Sequence, residues 1–590
     1  MKKIFFPAMA AMALGLASCS SDEPTTNGGG VDLSKGGYVK LSINLPTVKS
    51  SRAANDIFDD GMAKEYSVKN AQLILFTGTR EDNATFHSAY NLATSMEMEN
   101  PATNQITSTT RVVEKTETNT TGDHLYALVI LNNNGETTVT GNALSVNGTN
   151  FTGTFSDLAQ KLSTTDDATP KFASDVTNKG IFMTNAPLAS VPGGTVAPTG
   201  ASIATLTDVT SNVYNTEAEA QSHPSANIYV ERGVAKVTFS KTSSGSDHAG
   251  NATNNGTGEL TGDEFSTNKV SYQILGWTLD VTNKKSHLVR QTSTDWNLLN
   301  STYAATTGDK YRFIGGTAVD QDLYRTYWAT DPNYDAYVAG DFYTQQNTHP
   351  TLSNQFGDTN PQYCYENTFD VDNMNQNQTT RAVVSVQLYI DAAKTAQDLY
   401  IFNGDRTKLY SKTDCYARIK TAVAHALEGT ANANPTINDD DIKLNVKTGS
   451  KDGCTYEVEE VKVGSTYMLS SAELAYVNNE VKDITMYKNG VAYYPIRIKH
   501  FGDDSTPWNV SGQGVTAANI YPTTNQDNNF LGRYGVLRNN WYDIAVNKIA
   551  GVGTPSIPET DNTTDDELSS YISVRINILS WAKRQQNADL

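Results

Sequence analysis

The chain has very few cysteines. Only Cys19, Cys364, Cys415 and Cys454 occur among its 590 residues. No two of them have C-x-x-C spacing, which excludes the usual corner of a structural zinc site. With three thiols left after Cys19, a disulfide framework is also excluded, and at most one internal bridge can form. The sequence does not decide whether any of these three pair.

The chain also lacks a basic surface, recognisable catalytic motifs and long apolar runs. It carries 45 Lys and Arg against 64 Asp and Glu, a net charge of −19. This balance argues against nucleic acid as a partner, because neutralising phosphates needs an excess of basic residues. The eight histidines form no H-E-x-x-H pair, and neither G-x-S-x-G nor a Walker loop occurs. We predict a protein that is not an enzyme and binds no metal and no cofactor.

Two weak binding signals have simpler interpretations. The run Asp439–Asp441 offers carboxylates to Ca²⁺, but it lacks the EF-hand pattern, which favours a solvated acidic turn. The aromatic clusters Tyr324–Trp328 and Tyr363–Tyr365 have rings that can stack on sugars. Because Tyr and Trp serve more often as core and sheet residues, we favour a structural role for both clusters.

What the chain does have is one strand pattern twice, once near each end. Tyr38–Leu45 reads YVKLSINL and Tyr571–Leu579 reads YISVRINIL. The apolar positions alternate strictly with polar ones, so each segment can bury one row in a sheet. The two apolar rows are Val39, Leu41, Ile43 and Leu45 in the first copy, and Ile572, Val574, Ile576 and Ile578 in the second.

The first nineteen residues have the pattern of a targeting segment. Lys2 and Lys3 precede a short apolar stretch, Ile4–Leu16, which is too short to span a bilayer. Leu16–Cys19 resembles the lipobox of bacterial lipoproteins, which predicts acylation of Cys19. The alternative is an ordinary signal peptide, with Cys19 as a spare thiol. The acidic residues that follow resemble the surface-export signal of Bacteroidales lipoproteins.

Arg52 is the first arginine in the chain and lies in the small, polar stretch KSSRAAND. We predict that an arginine-specific protease cuts between Arg52 and Ala53. Residues 20–52 would then be a propeptide that contains the removable strand. The cut would free the strand Tyr38–Leu45 and detach the protein from its lipid. The strand near the C-terminus of another copy would then fill the vacated groove.

The length predicts more than one core, and the Thr-, Asn-, Gly- and Tyr-rich composition favours strands and turns. We predict an all-β fold of two tandem β-sandwich domains (transthyretin-like or Greek-key) with a few short helices. The domains are 53–225 and 226–590, the second ending in a donor strand at about 571–590. Further predicted strands are Ala71–Phe76, Leu125–Leu131, Ile228–Phe239, Val270–Leu279, Ala382–Ile390, Tyr493–Ile498 and Trp541–Ile549.

Helical signals are few. Thr413–Leu427 places apolar residues at spacings of three and four, with Thr413 as the expected cap, and Ser470–Val481 forms a second candidate. The polar tracts Asn100–Asn119 and Ser240–Asp263 are predicted to be extended surface loops.

Several segments resemble a known family. They are Val230–Val237 (VERGVAKV), Arg325–Ala329 with Asp331–Tyr334, Tyr363–Phe369 (YCYENTF), Gly532–Tyr542 (GRYGVLRNNWY) and Ile578–Trp581. Together they resemble the fimbrillins of Bacteroidales, specifically the major shaft subunit of the minor (short) fimbria. Gly233 and Ser580 depart from the pattern, because the resemblance leads us to expect a bulky residue or proline there.

The resemblance implies a lipoprotein precursor that is anchored to the outer membrane and later forms a cell-surface fimbrium. In the family pattern, an arginine-specific protease trims the subunit, and donor-strand exchange polymerises it head-to-tail with copies of itself. The cleavage arginine corresponds to Arg52, the removed strand to Tyr38–Leu45 and the donor to the last twenty or so residues. Accessory fimbrial subunits and host or bacterial surface receptors are the other implied partners.

Two other functions remain open. A fimbrial tip or anchor subunit needs only one of the two assembly ends, and a surface glycan-binding β-sandwich lipoprotein needs neither. The presence of both a removable strand and a donor strand favours the shaft subunit. We also expect the donor segment to be mobile in a monomer, because a strand that awaits a partner has nothing to pair with.

Overall fold

The structure is a computed structural model. It describes residues 37–45, 61–92, 105–112, 123–189, 203–241, 256–292, 324–325, 329–369, 373, 375–433, 436–464, 466–500, 534–562, 572–579 and 584–586. The predicted lipidation site Cys19 and the predicted cleavage site, Arg52 and Ala53, lie outside these residues. The removable strand Tyr38–Leu45 lies within them, and so do residues 572–579 and 584–586 of the predicted donor segment; Tyr571 and residues 580–583 and 587–590 lie outside them.

The first unit is built on one curled sheet. Its strands, with the smaller ones beside it, are β1 (Gly37–Asn44), β2 (Ala71–Gly78), β3 (Thr85–Asn91), β4 (Gln105–Val112), β5 (His124–Leu131), β6 (Thr137–Thr140), β7 (Ala143–Val146), β8 (Thr149–Phe151), β9 (Leu162–Thr164), β10 (Met183–Asn185), β11 (Leu188–Ala189), β12 (Ile203–Ala204), β13 (Thr207–Asp208), β14 (Val213–Tyr214) and β15 (Ala226–Arg232). The nine-stranded sheet has the order β14–β1–β15–β10–β5–β2–β3, with β13 on β5 and β4 on β1. Strands β6 to β8 form a separate meander.

The second unit is a sandwich with an inserted body. Its strands are β16 (Ala235–Ser240), β17 (Thr257–Glu259), β18 (Ser271–Asp280), β19 (Thr282–Asn283), β20 (Lys285–His287), β21 (Tyr324–Arg325), β22 (Phe342–Tyr343), β23 (Gln362–Cys364), β24 (Arg381–Tyr389), β25 (Leu399–Phe402), β26 (Ile442–Val446), β27 (Thr455–Val463), β28 (Tyr467–Met468), β29 (Ile484–Tyr487), β30 (Val491–Arg497), β31 (Trp541–Ile549), β32 (Ile572–Leu579) and β33 (Arg584–Gln586). One sheet has the order β23–β16–β31–β32–β33 and the other β17–β18–β24–β30. Strands β25, β29, β27 and β26 form the sheet of the inserted body.

The described α-helices are short and few: α1 (Ala63–Tyr66), α2 (Phe155–Ala159), α3 (Glu217–Ser222), α4 (Lys412–Ala426) and α5 (Ser471–Val481). Helices α4 and α5 cover the sheet of the inserted body and share its core. The predicted helix Ser470–Val481 is α5, and the Ser470 hydroxyl caps it by accepting a hydrogen bond from Glu473 N. Helix α4 is capped by Ser411 rather than the predicted Thr413, because the Ser411 hydroxyl accepts from Asp414 N.

The cores follow from the strand pattern. In the first unit, β1, β2, β5 and β15 each turn one apolar row into a shared core, and β2 and β5 turn their second apolar row into another core on the opposite face. In the second unit, β16 and β31 face β18, β24 and β30 across another core, as in a sandwich. The mostly-β fold with several packed sheets confirms the predicted class.

One predicted strand is two. The sequence predicts a continuous strand over Ile228–Phe239, but β15 ends at Arg232 and β16 begins at Ala235. Strand β15 pairs with β1 and β10, whereas β16 pairs with β23 and β31. The change from one sheet to the other therefore falls at Gly233 and Val234, eight residues or so after the predicted boundary.

Gly233 fits this crossing because a side chain has no room there. A Cβ would lie 2.7 Å from Phe172 Cδ2 and 3.0 Å from Phe182 Cδ1. These two rings stack with centroids 4.1 Å apart. The departure from the family pattern at this position thus has a steric reason.

The predicted loop Asn100–Asn119 contains a strand. Residues Gln105–Val112 form β4, which pairs antiparallel with β1 along its whole length. The sequence QITSTTRV has apolar residues only at Ile106 and Val112, so it shows no alternation, although Thr suits strands. The predicted loop Ser240–Asp263 similarly contains β17 (Thr257–Glu259).

Candidate functional site

The surroundings of β1 define the first part of the candidate site. Strand β4 pairs with one edge of β1, from Gly37 opposite Val112 to Asn44 opposite Gln105. The other edge is shared by β14, opposite Tyr38 and Val39, and by β15, which runs parallel opposite Leu41 to Asn44. We call the space between β4 and these two strands the slot. β1 is thus a central strand, and its loss would split this part of the sheet.

The apolar row of β1 is completely buried in the slot. Val39, Leu41 and Ile43 are 0% exposed and Leu45 is 3% exposed. They pack in one core with residues of β2, β5 and β15, among them Leu73, Val129 and Ile228. At about 1.5–3 kcal/mol per buried side chain, this row contributes roughly 6–12 kcal/mol before entropy. The predicted row of four therefore faces the core.

The polar row of β1 is also held, on the other face of the sheet. Lys40 Nζ donates to the carbonyl oxygens of Gln221 (3.1 Å) and His223 (3.3 Å), at the C-terminal end of α3. A cation is favourable there because the last carbonyls of a helix lack partners and carry partial negative charge. Helix α3 packs against β1 and β4, and Ser42 between them is only 2% exposed.

The second part of the candidate site is β32. It pairs antiparallel with β31, from Ile572 opposite Ile549 to Leu579 opposite Trp541. This placement corrects the expectation of an unpartnered tail: in the monomer β32 is a member of its own sheet. Without β32, the edge of β31 would expose a row of unpaired backbone groups.

The register of β32 matches the alternation predicted for it. Its four apolar positions pair with four residues of β31 that belong to the core of the second unit. The pairs are Ile572 with Ile549, Val574 with Val546, Ile576 with Ile544, and Ile578 with Tyr542. Beyond β32 the chain returns as the three-residue strand β33, whose partner is β32.

Sequence reasoning missed a buried ionic junction between the two units. Lys236 Nζ donates to Glu65 Oε2 at 2.9 Å, and both side chains are 0% exposed. Tyr363 Oη donates to Glu65 Oε1 at 2.6 Å, and Arg232 Nε donates to the Glu65 carbonyl oxygen at 3.0 Å. Lys236 Nζ also lies 3.7 Å from the centroid of the Trp541 ring. Burial, with the Glu65 carboxylate beside it, raises the pKa of Tyr363, so its hydroxyl stays protonated and donates.

A second buried pair extends this junction. Arg538 Nη2 lies 2.5 Å from Glu366 Oε1, and it also donates to Ser286 Oγ (2.9 Å) and to the carbonyl oxygen of His287 (2.8 Å). The motifs VERGVAKV, YCYENTF and GRYGVLRNNWY therefore meet at one place, where they join the two units. Their role there is structural, because each of these charged groups already has a protein partner.

The remaining candidate chemistry is used for structure. The Tyr365 side chain is buried and packs edge-on against Phe172, with ring centroids 5.1 Å apart. Cys364, Cys415 and Cys454 are free and buried, and burial raises the pKa of each thiol to about 12. These thiols are therefore protonated at neutral pH and poor nucleophiles.

The described residues offer neither a metal cluster nor a membrane span. Among them, no group of three or more His, Cys, Asp or Glu side chains is arranged to hold a metal ion. Asp439–Asp441 form a 3₁₀ turn, and the Asn438 amide donates to Asp441 Oδ2 at 3.0 Å. No helix in this part of the chain is long and apolar enough to cross a membrane.

One partly buried carboxyl group lies in a turn of the sheet that contains the slot. Glu81, in the turn between β2 and β3, accepts hydrogen bonds from Thr205 N (3.0 Å) and Leu206 N (3.1 Å). Burial raises the pKa of Glu81 from 4.5 to about 7, more than these two hydrogen bonds lower it. The group ties this turn to the two residues between β12 and β13.

A family model matches the end of the chain. Residues 485–587 match the model described as "Major fimbrial subunit protein type IV, Fimbrillin, C-terminal". The matched segment includes β30, β31 and β32. This part of the chain is therefore similar to the C-terminal domain of fimbrillins.

Comparison with solved structures gives distant likenesses. A candidate cell adhesion protein from Parabacteroides distasonis ATCC 8503 is 9% identical, with a TM-score of 0.36, over 94% of this chain and 100% of that one. A fimbrilin (FimA) from Porphyromonas gingivalis W83 is 10% identical, with a TM-score of 0.35, over 93% and 99%. The tip fimbrial protein Mfa3 from Porphyromonas gingivalis is 10% identical, with a TM-score of 0.28, over 92% and 100%.

These likenesses are too low to assign a role to this chain. No curated protein matches the sequence. The comparison that bears on function is therefore the family model, which covers residues 485–587.

Proposed function

We propose that this chain is the shaft subunit of a cell-surface adhesive fimbria, and that it polymerises by head-to-tail donor-strand exchange. In this proposal β1 leaves the slot of one subunit and the C-terminal segment of the next, about 571–590, takes its place. The observation that carries the proposal is the buried row of β1. A second segment of this chain, Tyr571–Leu579, has the same alternation and is one residue longer.

The precursor state follows from the slot. With β1 in place, the core of the first unit is filled and both edges of β15 are paired, so the subunit travels as a monomer. Cleavage between Arg52 and Ala53 cuts the covalent link between β1 and the rest of the chain. Acylated Cys19 would remain with the removed part, so the same cut frees the subunit from the outer membrane.

The exchange is favourable because a strand in the slot has more backbone partners than β32 has in its own sheet. In its own subunit, β32 has one full-length partner, β31, and the three-residue strand β33. In the slot, a strand has β4 along one edge and β14 and β15 along the other. The donor and acceptor surfaces differ, so the contact does not close on itself and a filament results.

When the two strands are aligned in the same direction in the slot, their side chains match position by position. With Tyr571 placed at Tyr38, Ile572, Val574, Ile576 and Ile578 take the positions of Val39, Leu41, Ile43 and Leu45. Asn577 then takes the position of Asn44, whose Nδ2 donates to the Ile228 carbonyl oxygen at 3.4 Å. Ser573 takes the position of Lys40.

Two measurements test the trimming step and the polymerisation that follows it. N-terminal sequencing of fibres sheared from cells should give Ala53. Cells that express Arg52→Ala should accumulate uncut, lipid-bearing monomer. Arg52→Lys keeps a positive charge at the cleavage site, so it tests whether the protease requires arginine itself. Polymerisation of Arg52→Ala with β1 still attached would contradict the proposal.

A second candidate is a tip or anchor subunit, which would use only one of the two assembly ends. The pairing of β32 with its own β31 favours it, because a subunit that keeps its tail at home cannot donate it. Deleting residues 571–590 separates the two. If the chain is a shaft subunit, the deletion should stop fibre growth. If it is a tip or anchor subunit that only accepts a donor, the shortened chain should still be incorporated at a fibre end.

A further inference from the structure

The outer strand of the slot belongs to the sheet only through β1. Within the described residues, β4 pairs with β1 and with no other strand. Strand β14 is in the same position, since its ladder with β1 joins Tyr214 to Tyr38 and Val213 to Val39. Strand β15 differs, because it also pairs with β10 and shares the central core. The two sides of the slot are therefore held very differently.

Helix α3 depends on the same strand. It packs against β1, β4 and β14, and Ala220 on it is 0% exposed. Lys40 on β1 supplies the cation that binds the carbonyl oxygens of Gln221 and His223. When β1 leaves, α3 loses both this cation and the surface that it covers.

We propose that β4 is a clasp that closes over whichever strand fills the slot, and this inference rests on the proposed function. With β1 in place, β4 completes a two-edged ladder. Without β1, β4 has no strand to pair with and separates from the sheet, while β15 keeps its place and presents one open edge. The incoming strand docks sideways on this edge, opposite Ala226 to Tyr229, and β4 then closes on its other side.

The clasp answers a geometric difficulty of exchange. A strand that must enter between two fixed strands has to thread lengthwise, and its backbone groups pair only as it advances. A strand that meets one fixed edge can form its ladder with β15 first and bury its apolar row at the same time. Closure of β4 then adds the second ladder, which slows dissociation of the strand already bound.

Hydrogen exchange of the full chain tests the clasp, with β1 expelled by mutation rather than by truncation. Leu41→Asp with Ile43→Asp places two charges in the core and forces β1 out, and Leu41→Val with Ile43→Val is the matched control. We expect amides of residues 105–112 to exchange at least about tenfold faster in the Asp variant, while residues 124–131 of β5 keep their protection. Helix α3 should lose protection together with β4.

Two outcomes of this comparison would overturn the clasp. One is protection of residues 105–112 that survives the loss of β1, and the other is loss of protection in β4 and β5 together, which would mean that the unit unfolds as a whole. Adding a synthetic peptide of residues 37–52 to the Asp variant should restore protection of 105–112. Failure of this peptide would also overturn the clasp.

A second peptide separates the clasp from the proposed function. A peptide of residues 571–590 should restore protection of 105–112 as the first peptide does. If the 37–52 peptide restores it and the 571–590 peptide does not, the clasp stands and the donor assignment is wrong.

Discussion

Strands β1 and β32 share one sequence pattern but have different surroundings. β1 is enclosed, with partners along both edges, its apolar row in a core and its Lys40 bound by α3. β32 has β31 along one edge and only the short strand β33 beyond it. Alternation therefore decides which face of a strand is buried, whereas the neighbouring edges decide how firmly the strand is held. In the proposed exchange, the weakly held strand replaces the firmly held one.

Locking β32 to β31 has the largest expected effect, because it should abolish fibre growth. Lys548 and Ser573 are opposite each other in the ladder, and Lys548 is exposed. Lys548→Cys with Ser573→Cys should form a disulfide across the strands and hold the tail at home. Growth should stop under oxidising conditions and resume when reductant is added, as followed by electron microscopy.

Each single Cys variant is the control for the lock. Both should polymerise with or without reductant. If the double variant polymerises while its disulfide is intact, β32 does not need to leave β31 for assembly. The proposal that β32 is the donor strand would then be contradicted.

Charges placed in the two matched rows sharpen the comparison. Leu41→Asp should lower the free energy of unfolding of the first unit by at least about 4 kcal/mol, because it puts an unpaired carboxylate in the core. Val574→Asp should leave the melting temperature of the first unit unchanged while it reduces fibre yield. Calorimetry of both precursors checks this, and equal loss in the first unit from both changes would contradict the separate placement of the strands.

Substitutions at the buried junction test whether its charges stabilise the contact between the two units. Lys236→Met leaves Glu65 buried with its cation removed, so we expect a loss of roughly 3–5 kcal/mol in the free energy of unfolding. Lys236→Met with Glu65→Leu removes both charges and should recover part of that loss. A loss below about 1 kcal/mol in Lys236→Met would show that the pair is not desolvated as described.

The smallest effect concerns pH and Glu81. Its pKa is about 7 in the folded state against an ordinary 4.5, so the folded state holds the proton more tightly. The stability that this group contributes is complete below pH 4.5 and is lost as the pH rises through 7. Glu81→Gln should therefore flatten the pH dependence between about pH 4.5 and 7, by up to roughly 1 kcal/mol per pH unit. Asp166→Asn, at an exposed carboxyl that is not among the groups acting on Glu81, is the control and should leave the slope unchanged.

The sequence predicted the strands that carry strict alternation. β1 and β32 lie within a residue of their predicted bounds, because apolar residues alternate with polar ones over eight or nine positions, whereas β31 keeps its predicted bounds on an apolar sequence that does not alternate strictly. β4 was missed because its polar, Thr-rich sequence has no such alternation, and only its pairing with β1 makes it a strand. Pairing partners distant in sequence leave no mark on local composition.

The junction could not be predicted for a related reason. Glu65 lies in a four-residue helix with no periodic pattern, and nothing near it in sequence indicates a partner. Its contacts with Lys236 and Tyr363 join residues 171 and 298 positions apart. The motifs around those partners predicted a family, but not that they meet at a buried charge. The pairing of β32 with β31 could not be predicted either, because alternation does not indicate which strand edge a segment joins.

One disulfide trap in assembled fibres tests the central claim most directly. Lys40 lies opposite Thr109 of β4, and Ser573 is the residue that would take the position of Lys40. Thr109→Cys with Ser573→Cys should therefore give a ladder of covalent oligomers on a non-reducing gel, collapsing to monomer on reduction. The contradicting result has two parts. Fibres of this variant would give no ladder, and fibres of the Lys548→Cys with Ser573→Cys variant would contain the internal disulfide. The tail would then have stayed in its own subunit. Donor-strand exchange by this tail would then be contradicted.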